Sequence, residues 1–186
     1  MTTTTTTTVP GYIAGTWTLD PTHTEVSFTV RHLMVSKVRG RFTRFEGEIV
    51  TAEDLLQSSV NVSIELDSID TADANRDAHL RSVDFFDTAT HQHMTYRSTG
   101  VRPSGDGWVV DGELTLHGVT KQVPLQLEIN GFVPNSPMGT RAGFSATGEI
   151  SRKDFGIEFN MPLEGGGVVI GDKVSLHLEV EAILKG

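Results

Sequence analysis

The stretch from residue 173 to 184 constrains the fold most strongly. Val174, Leu176, Leu178, Val180, Ala182 and Leu184 occupy every second position. A period of two puts all six on one face of an extended strand, and that face has to be buried against something. The pattern recurs upstream. Val26, Phe28 and Val30 share one face of a strand at 23–32, with Glu25, Ser27, Thr29 and Arg31 on the other. Val60, Val62, Ile64 and Leu66 repeat it over 58–66. Further strands are expected at 15–20, 41–50, 93–101, 108–116, 122–130 and 141–151. Pro21, Gly40, residues 104–107, His117-Gly118 and Asn130-Gly131 mark turns between them, and 164–171 is a glycine-rich loop.

Many short antiparallel strands, each with one apolar face, bury those faces together as a sandwich or a closed barrel. At ~3.3 Å per residue the longer strands reach roughly 30 Å. The expectation is an all-β fold, an extended antiparallel barrel with one or two short helices. Its interior is either filled by side chains or occupied by a long ligand. No break in composition marks a second domain. The division expected is a flexible threonine-rich tail over 1–14 and a single barrel domain over 15–186.

Several functions are disfavoured. A formal net charge of −9 argues against broad contact with nucleic acid or anionic lipid surfaces. The chain has no cysteine, hence no disulfide, thiolate nucleophile or cysteine-ligated metal. Met1 and the threonines after it lack the basic and apolar regions of a signal peptide, and no apolar run approaches the ~20 residues of a spanning helix. A cytoplasmic protein is expected. No G-x-S-x-G or phosphate-loop context is present, so no enzyme is expected. His91-x-His93 would place two imidazoles on one strand face, which leaves a metal-binding barrel as an alternative. Asp67, Asp70 and Asp73 read as helix caps and solvated acids rather than a calcium site.

One segment departs from the strand pattern. Over 68–86 helix formers replace alternation, with Asp70 or Thr71 as cap. Arg76, His79 and Leu80 fall on one helical face, and Asp77 and Arg81 can pair on the next. Phe85 and Phe86 follow as anchors. The segment reads as a lid or mouth at one end of the barrel. Arg76 and His79 there either pair with strand carboxylates or meet a polar head group.

Taken in order, the motifs resemble the YceI-like family of polyisoprenoid-binding proteins. The residues that carry the likeness begin with Trp17-Thr-Leu-Asp-Pro-Thr-His23, Val26-x-Phe28, His32 and Gly40-x-Phe42. Ser68-Ile-Asp-Thr71, Arg76-Asp77-x-His79-Leu80 and Asp84-Phe-Phe-Asp87 follow. Gly112-x-Leu-Thr-Leu-His-Gly-Val-Thr120, Gly148 and Arg152-x-Asp-Phe-Gly156 complete the series. His91-Gln92, where relatives often carry Tyr-Pro, and the Gly165-Gly-Gly167 run depart from the family pattern.

The resemblance implies a lipocalin-like barrel of about eight strands around a long apolar pore, and a homodimer. It makes Phe28, Val30, His32, Phe42, Val62, Ile64, Arg76, His79, Leu80, Phe85, Phe86, Leu114, Leu116, Leu127, Leu176 and Leu178 the expected lining or mouth. The implied function is binding, storage or transport of a polyisoprenoid lipid, such as a menaquinone-type quinone or a prenyl phosphate. Transient membrane contact and no nucleic acid partner go with it. The alternatives are an enzyme that modifies a prenyl lipid through His79 or His32, and a structural module with a filled barrel.

Overall fold

The structure, a computed structural model, describes residues 9–164 and 167–186. The threonine run, and Gly165 and Gly166 of the glycine-rich loop, lie outside the described residues. The described residues form twelve strands and one α-helix. The first six strands are β1 (Gly15–Leu19), β2 (Glu25–His32), β3 (Ser36–Phe42), β4 (Phe45–Thr51), β5 (Ser59–Glu65) and β6 (Ile69–Asp70). After α1 (Ala74–Arg81) come β7 (His93–Ser104), β8 (Gly107–Leu116), β9 (Val119–Gln122), β10 (Leu125–Ser136), β11 (Gly139–Ser151) and β12 (Ile170–Leu184).

The twelve strands lie in eight lines. β1 and β2 run end to end along one edge of β12. β3 and β4 form a second line beside them, and β5 and β6 a third. β9 and β10 share β8 as their neighbour and form another. Each line pairs antiparallel with the next in chain order, and Trp17–Leu19 against Ala182–Leu184 closes the ring. The expected lipocalin-like architecture is present, although the ring is not evenly barrel-shaped. Pro21, Pro124 and the 3-10 turn Leu66–Ser68 fall at three of the breaks within lines.

Two expected turns are corrected. Gly40 lies inside β3 opposite Phe28, and the chain turns at Leu33-Met34 instead. A methyl on Gly40 would come within 2.3 Å of the Phe28 ring, so the glycine seats that ring inside the barrel. Asn130-Gly131 is a bulge within β10, and the hairpin turns farther on, between Ser136 and Gly139. The apolar face of β10 runs past the bulge to Phe132, so burial overrides the local turn signal.

The expected tail is anchored over its described part. Tyr12 donates its hydroxyl to Ala52 O at 2.5 Å, and Thr51 Oγ1 donates to Ile13 O at 2.8 Å.

Candidate functional site

Strand alternation points every second side chain inward, and the inward set encloses a cavity of about 270 Å³. Forty of the described residues line it, from Tyr12 at one end to Arg152 and Ile170 at the other. So small a volume along so much wall is a narrow tunnel. The wall is almost wholly carbon. Most of its hydroxyls are bonded: Tyr96 Oη donates to Val123 O at 2.8 Å, Thr24 Oγ1 to Glu181 O at 3.1 Å and Ser27 Oγ to His177 O at 3.2 Å. Burial pushes the Tyr96 phenol far above its ordinary pKa, so it stays neutral. Its ring lies over Gly112, where a methyl would come within 2.4 Å.

Phe28, Val30, Phe42, Val62, Ile64, Leu80, Phe85, Phe86, Leu114, Leu116, Leu127, Leu176 and Leu178 all line this tunnel. His32, Arg76 and His79 do not. His32 ends β2 opposite Ser36 and Ile170. Arg76 donates Nε to Thr71 Oγ1 at 2.8 Å and Nη2 to Thr71 O at 2.7 Å. His79 Nε2 lies 2.8 Å from Asp84 Oδ2. Neither Arg76 nor His79 meets a strand carboxylate, which corrects the expected pairing. The intervening loops supply partners first.

The two ends are closed differently. At the first, Trp17, Phe132 and Phe144 project from β1, β10 and β11, with ring centroids 5.8 and 6.2 Å apart, and Tyr12 stacks edge-on against Phe132. Trp17 is fully buried and donates to Thr51 Oγ1 at 2.8 Å. At the other end the segment 71–92 folds over the strand tips. Asp73 caps α1 through Arg76 N, where Asp70 or Thr71 was expected. The buried Asp77 accepts from Thr71 N and Oγ1 rather than pairing with Arg81. Arg81 reaches back to the carbonyls of Asp67 and Ile69. Leu80, Phe85 and Phe86 turn inward, and Phe85 joins Phe159 and His79 in a three-ring cluster spaced 5.0–5.2 Å.

Several lining residues escape the sequence pattern, chiefly Tyr12, Tyr96, Phe144 and Arg152. Arg152 is 5 % exposed, and four carbonyls, of Ile157, Phe159, Ile170 and Gly171, hold its guanidinium. It pins the return loop against the top of β12, and burial lowers its pKa. The motif Arg152-x-Asp-Phe-Gly156 was the signal available for it.

His91 and His93 do not share a strand face. His91 lies in the loop before β7, with its ring 4.9 Å from that of His117, while His93 opens β7 opposite Glu65. Among the described residues Asp20, His23 and Glu181 sit close enough to hold an ion. The Arg141 guanidinium occupies that space, bonded to both carboxylates. The group reads as an ion-pair network across the β1–β2 break. Its hydrogen bonds, from His23 first, hold the Asp20 carboxyl far below the usual range.

A closed antiparallel ring around an apolar, capped tunnel defines a lipocalin-like barrel, the class that encloses an apolar guest. The chain belongs to the YceI-like family, whose domain matches residues 17–182. It is 41% identical over 140 residues to Protein YceI of Escherichia coli, covering 75% of this chain and 73% of that protein. A Campylobacter jejuni YceI crystal structure superposes with a TM-score of 0.70 at 30% identity, covering 90% of this chain and 97% of that one. A polyisoprenoid binding domain from Saccharophagus degradans, implicated in plant cell wall breakdown, superposes at 0.67 with 20% identity, covering 93% and 100%.

Proposed function

We propose that the barrel binds one long polyisoprenoid chain, of an isoprenoid quinone or a prenyl phosphate, and serves as a carrier or reservoir for it. The observation that carries this is the tunnel itself: long, narrow and nearly free of unengaged polar groups. The family supports it, as does the polyisoprenoid binding domain that shares the fold. Removing an isoprene unit from water is worth roughly 4 kcal/mol at ~0.8 per carbon, whereas exchange with a bilayer of equal apolarity is close to neutral. A tunnel with this wall takes up such a chain and hands it back without trapping it. The head group lies at the end closed by 71–92, where Arg152 is the one charged side chain among the described residues that line the tunnel, although its guanidinium is engaged by carbonyls.

Transient membrane contact, a homodimeric state and a cytoplasmic location belong to the same proposal. Sedimentation and cell fractionation read the last two. For the ligand, native mass spectrometry of the purified protein followed by organic extraction is expected to yield a prenyl lipid. Protein that carries none, and does not respond to added menaquinone or a long-chain prenyl phosphate, would rule the reading out.

A further inference from the structure

The β2–β3 hairpin has a composition unlike the rest of the chain. Residues 31–44 hold Arg31, Lys37, Arg39, Arg41 and Arg44 and no Asp or Glu, in a protein whose net charge is −9. Arg41 and Arg44 meet Asp70 and Glu65. Among the described residues this leaves Arg31, Lys37 and Arg39 as an exposed, uncompensated group. Arg31 and Lys37 face each other directly across the two strands, a like-charge arrangement that costs the fold stability.

The tip of the hairpin is apolar. Leu33, Met34 and Val35 are 41 %, 51 % and 83 % exposed, and Met161 stands out on the adjoining loop. Leu33 and Met34 both hold positive φ, 53° and 63°, in the three-residue loop between the paired His32 and Ser36, a conformation that Asn and Gly take at least cost. Bulky side chains there cost backbone energy and are only about half covered in return. The opposite end of the barrel also exposes apolar residues, Val133 and Met138. Its loops carry Glu53, Asp54 and Asp106 instead of a basic group.

We infer that this hairpin docks the barrel on an anionic lipid surface, with Leu33, Met34 and Val35 entering the leaflet and Arg31, Lys37 and Arg39 meeting its head groups. A lipid surface is the partner that satisfies both halves of the feature, because a purely polyanionic partner leaves the apolar tip in water. Glu158 and Glu164, on the neighbouring loop, oppose close approach elsewhere on this end. They and the formal −14 on the rest of the chain restrict docking to the hairpin side. The docked end is also the one closed by 71–92. In purpose, though not in mechanism, the inference rests on the carrier reading.

Flotation of the full chain with phosphatidylcholine vesicles, with and without phosphatidylglycerol, tests it. Binding is expected to the anionic vesicles alone and to weaken with salt. Lys37→Glu and Arg39→Glu are each expected to reduce partitioning at least about fivefold. Leu33→Asn with Met34→Gly and Val35→Ser is expected to abolish flotation while leaving Tm unchanged or raised, because the turn then carries its preferred residues. The inference is overturned if the wild type ignores anionic vesicles, binds neutral ones equally, or if the tip variant floats as well as the wild type. Retention by the tip variant with loss by the charge variants points to a polyanionic partner instead. Menaquinone titration of the same variants in vesicle-free solution reads the tunnel separately, so either idea can fail alone.

Discussion

The two ends of the barrel cover an apolar tunnel by opposite construction. At the Trp17 end the closing rings are side chains of the strands themselves, fixed by register in β1, β10 and β11. Nothing there can move without disturbing the ring closure at Trp17–Leu184. At the other end closure comes from an inserted segment, residues 71–92, whose polar groups mostly bond one another or the adjoining turn. A segment knotted to itself can lift as a unit without opening the sheet. The difference predicts rigidity at one end and, under the proposed function, passage of the ligand at the other.

The largest test of that contrast is truncation. Trp17→Ala removes a fully buried ring and is expected to cost about 3–5 kcal/mol in chemical denaturation. Phe86→Ala, at the partly exposed cap, is expected to cost less than half as much and to speed release of a bound prenyl lipid in stopped-flow exchange. Equal losses at the two sites would break the comparison. Overpacking comes next. Gly112→Ala, under the Tyr96 ring, is expected to lower stability by about 2 kcal/mol and to reduce ligand uptake, because the displaced ring intrudes on the tunnel.

A smaller effect is expected from Asp77→Ala, which strands two Thr71 donors and should cost about 1–2 kcal/mol. Hydrogen exchange is expected to accelerate within 71–92 and to remain unchanged at β11 and β12. Exchange that rises uniformly would mean the cap is not a separate unit.

The smallest concerns pH. The hydrogen bond to Asp20 raises the His23 pKa, so the contribution of the pair is present below the ordinary value of 6.5 and is lost as pH climbs through the raised one. Asp20, held low, contributes above its ordinary 3.8 and loses that contribution as the solution is acidified. His23→Gln should flatten the Tm profile on the alkaline side of 6.5 and, because His23 is the first of the groups that hold Asp20 low, soften its fall on acidification as well. A parallel profile in wild type and variant would remove His23 from the network.

The strand faces were legible because a period of two survives substitution: any apolar residue in register points inward. Thirteen expected lining residues therefore lie in the wall. Residues whose roles depend on a partner far along the chain were not legible. Gly40 and Asn130-Gly131 look like turns until the Phe28 ring and the continuing β10 face are in place. Tyr12 lies beside a threonine run and reads as tail. Arg152 belongs inside only because four carbonyls, two from the following loop and two from the start of β12, converge on it. Arg76 and His79 point inward on a helical projection, yet Thr71 and Asp84 are nearer than any strand carboxylate. Net charge misled in another way: averaged over the chain it conceals the basic hairpin.

The meander has a consequence for the way the chain is made. Seven of the eight seams join lines adjacent in sequence, so they form as the polypeptide leaves the ribosome. The eighth joins the first line to the last, from His32 beside Ile170 to Trp17 beside Leu184, and waits for β12. Until then every nascent intermediate is an open, curling sheet with two bare edges and an uncovered apolar face, prone to pair with its neighbours. Loss of β12 leaves β11, β1 and β2 all without a partner along that side, and so bares more strand edge than loss of the shorter β1.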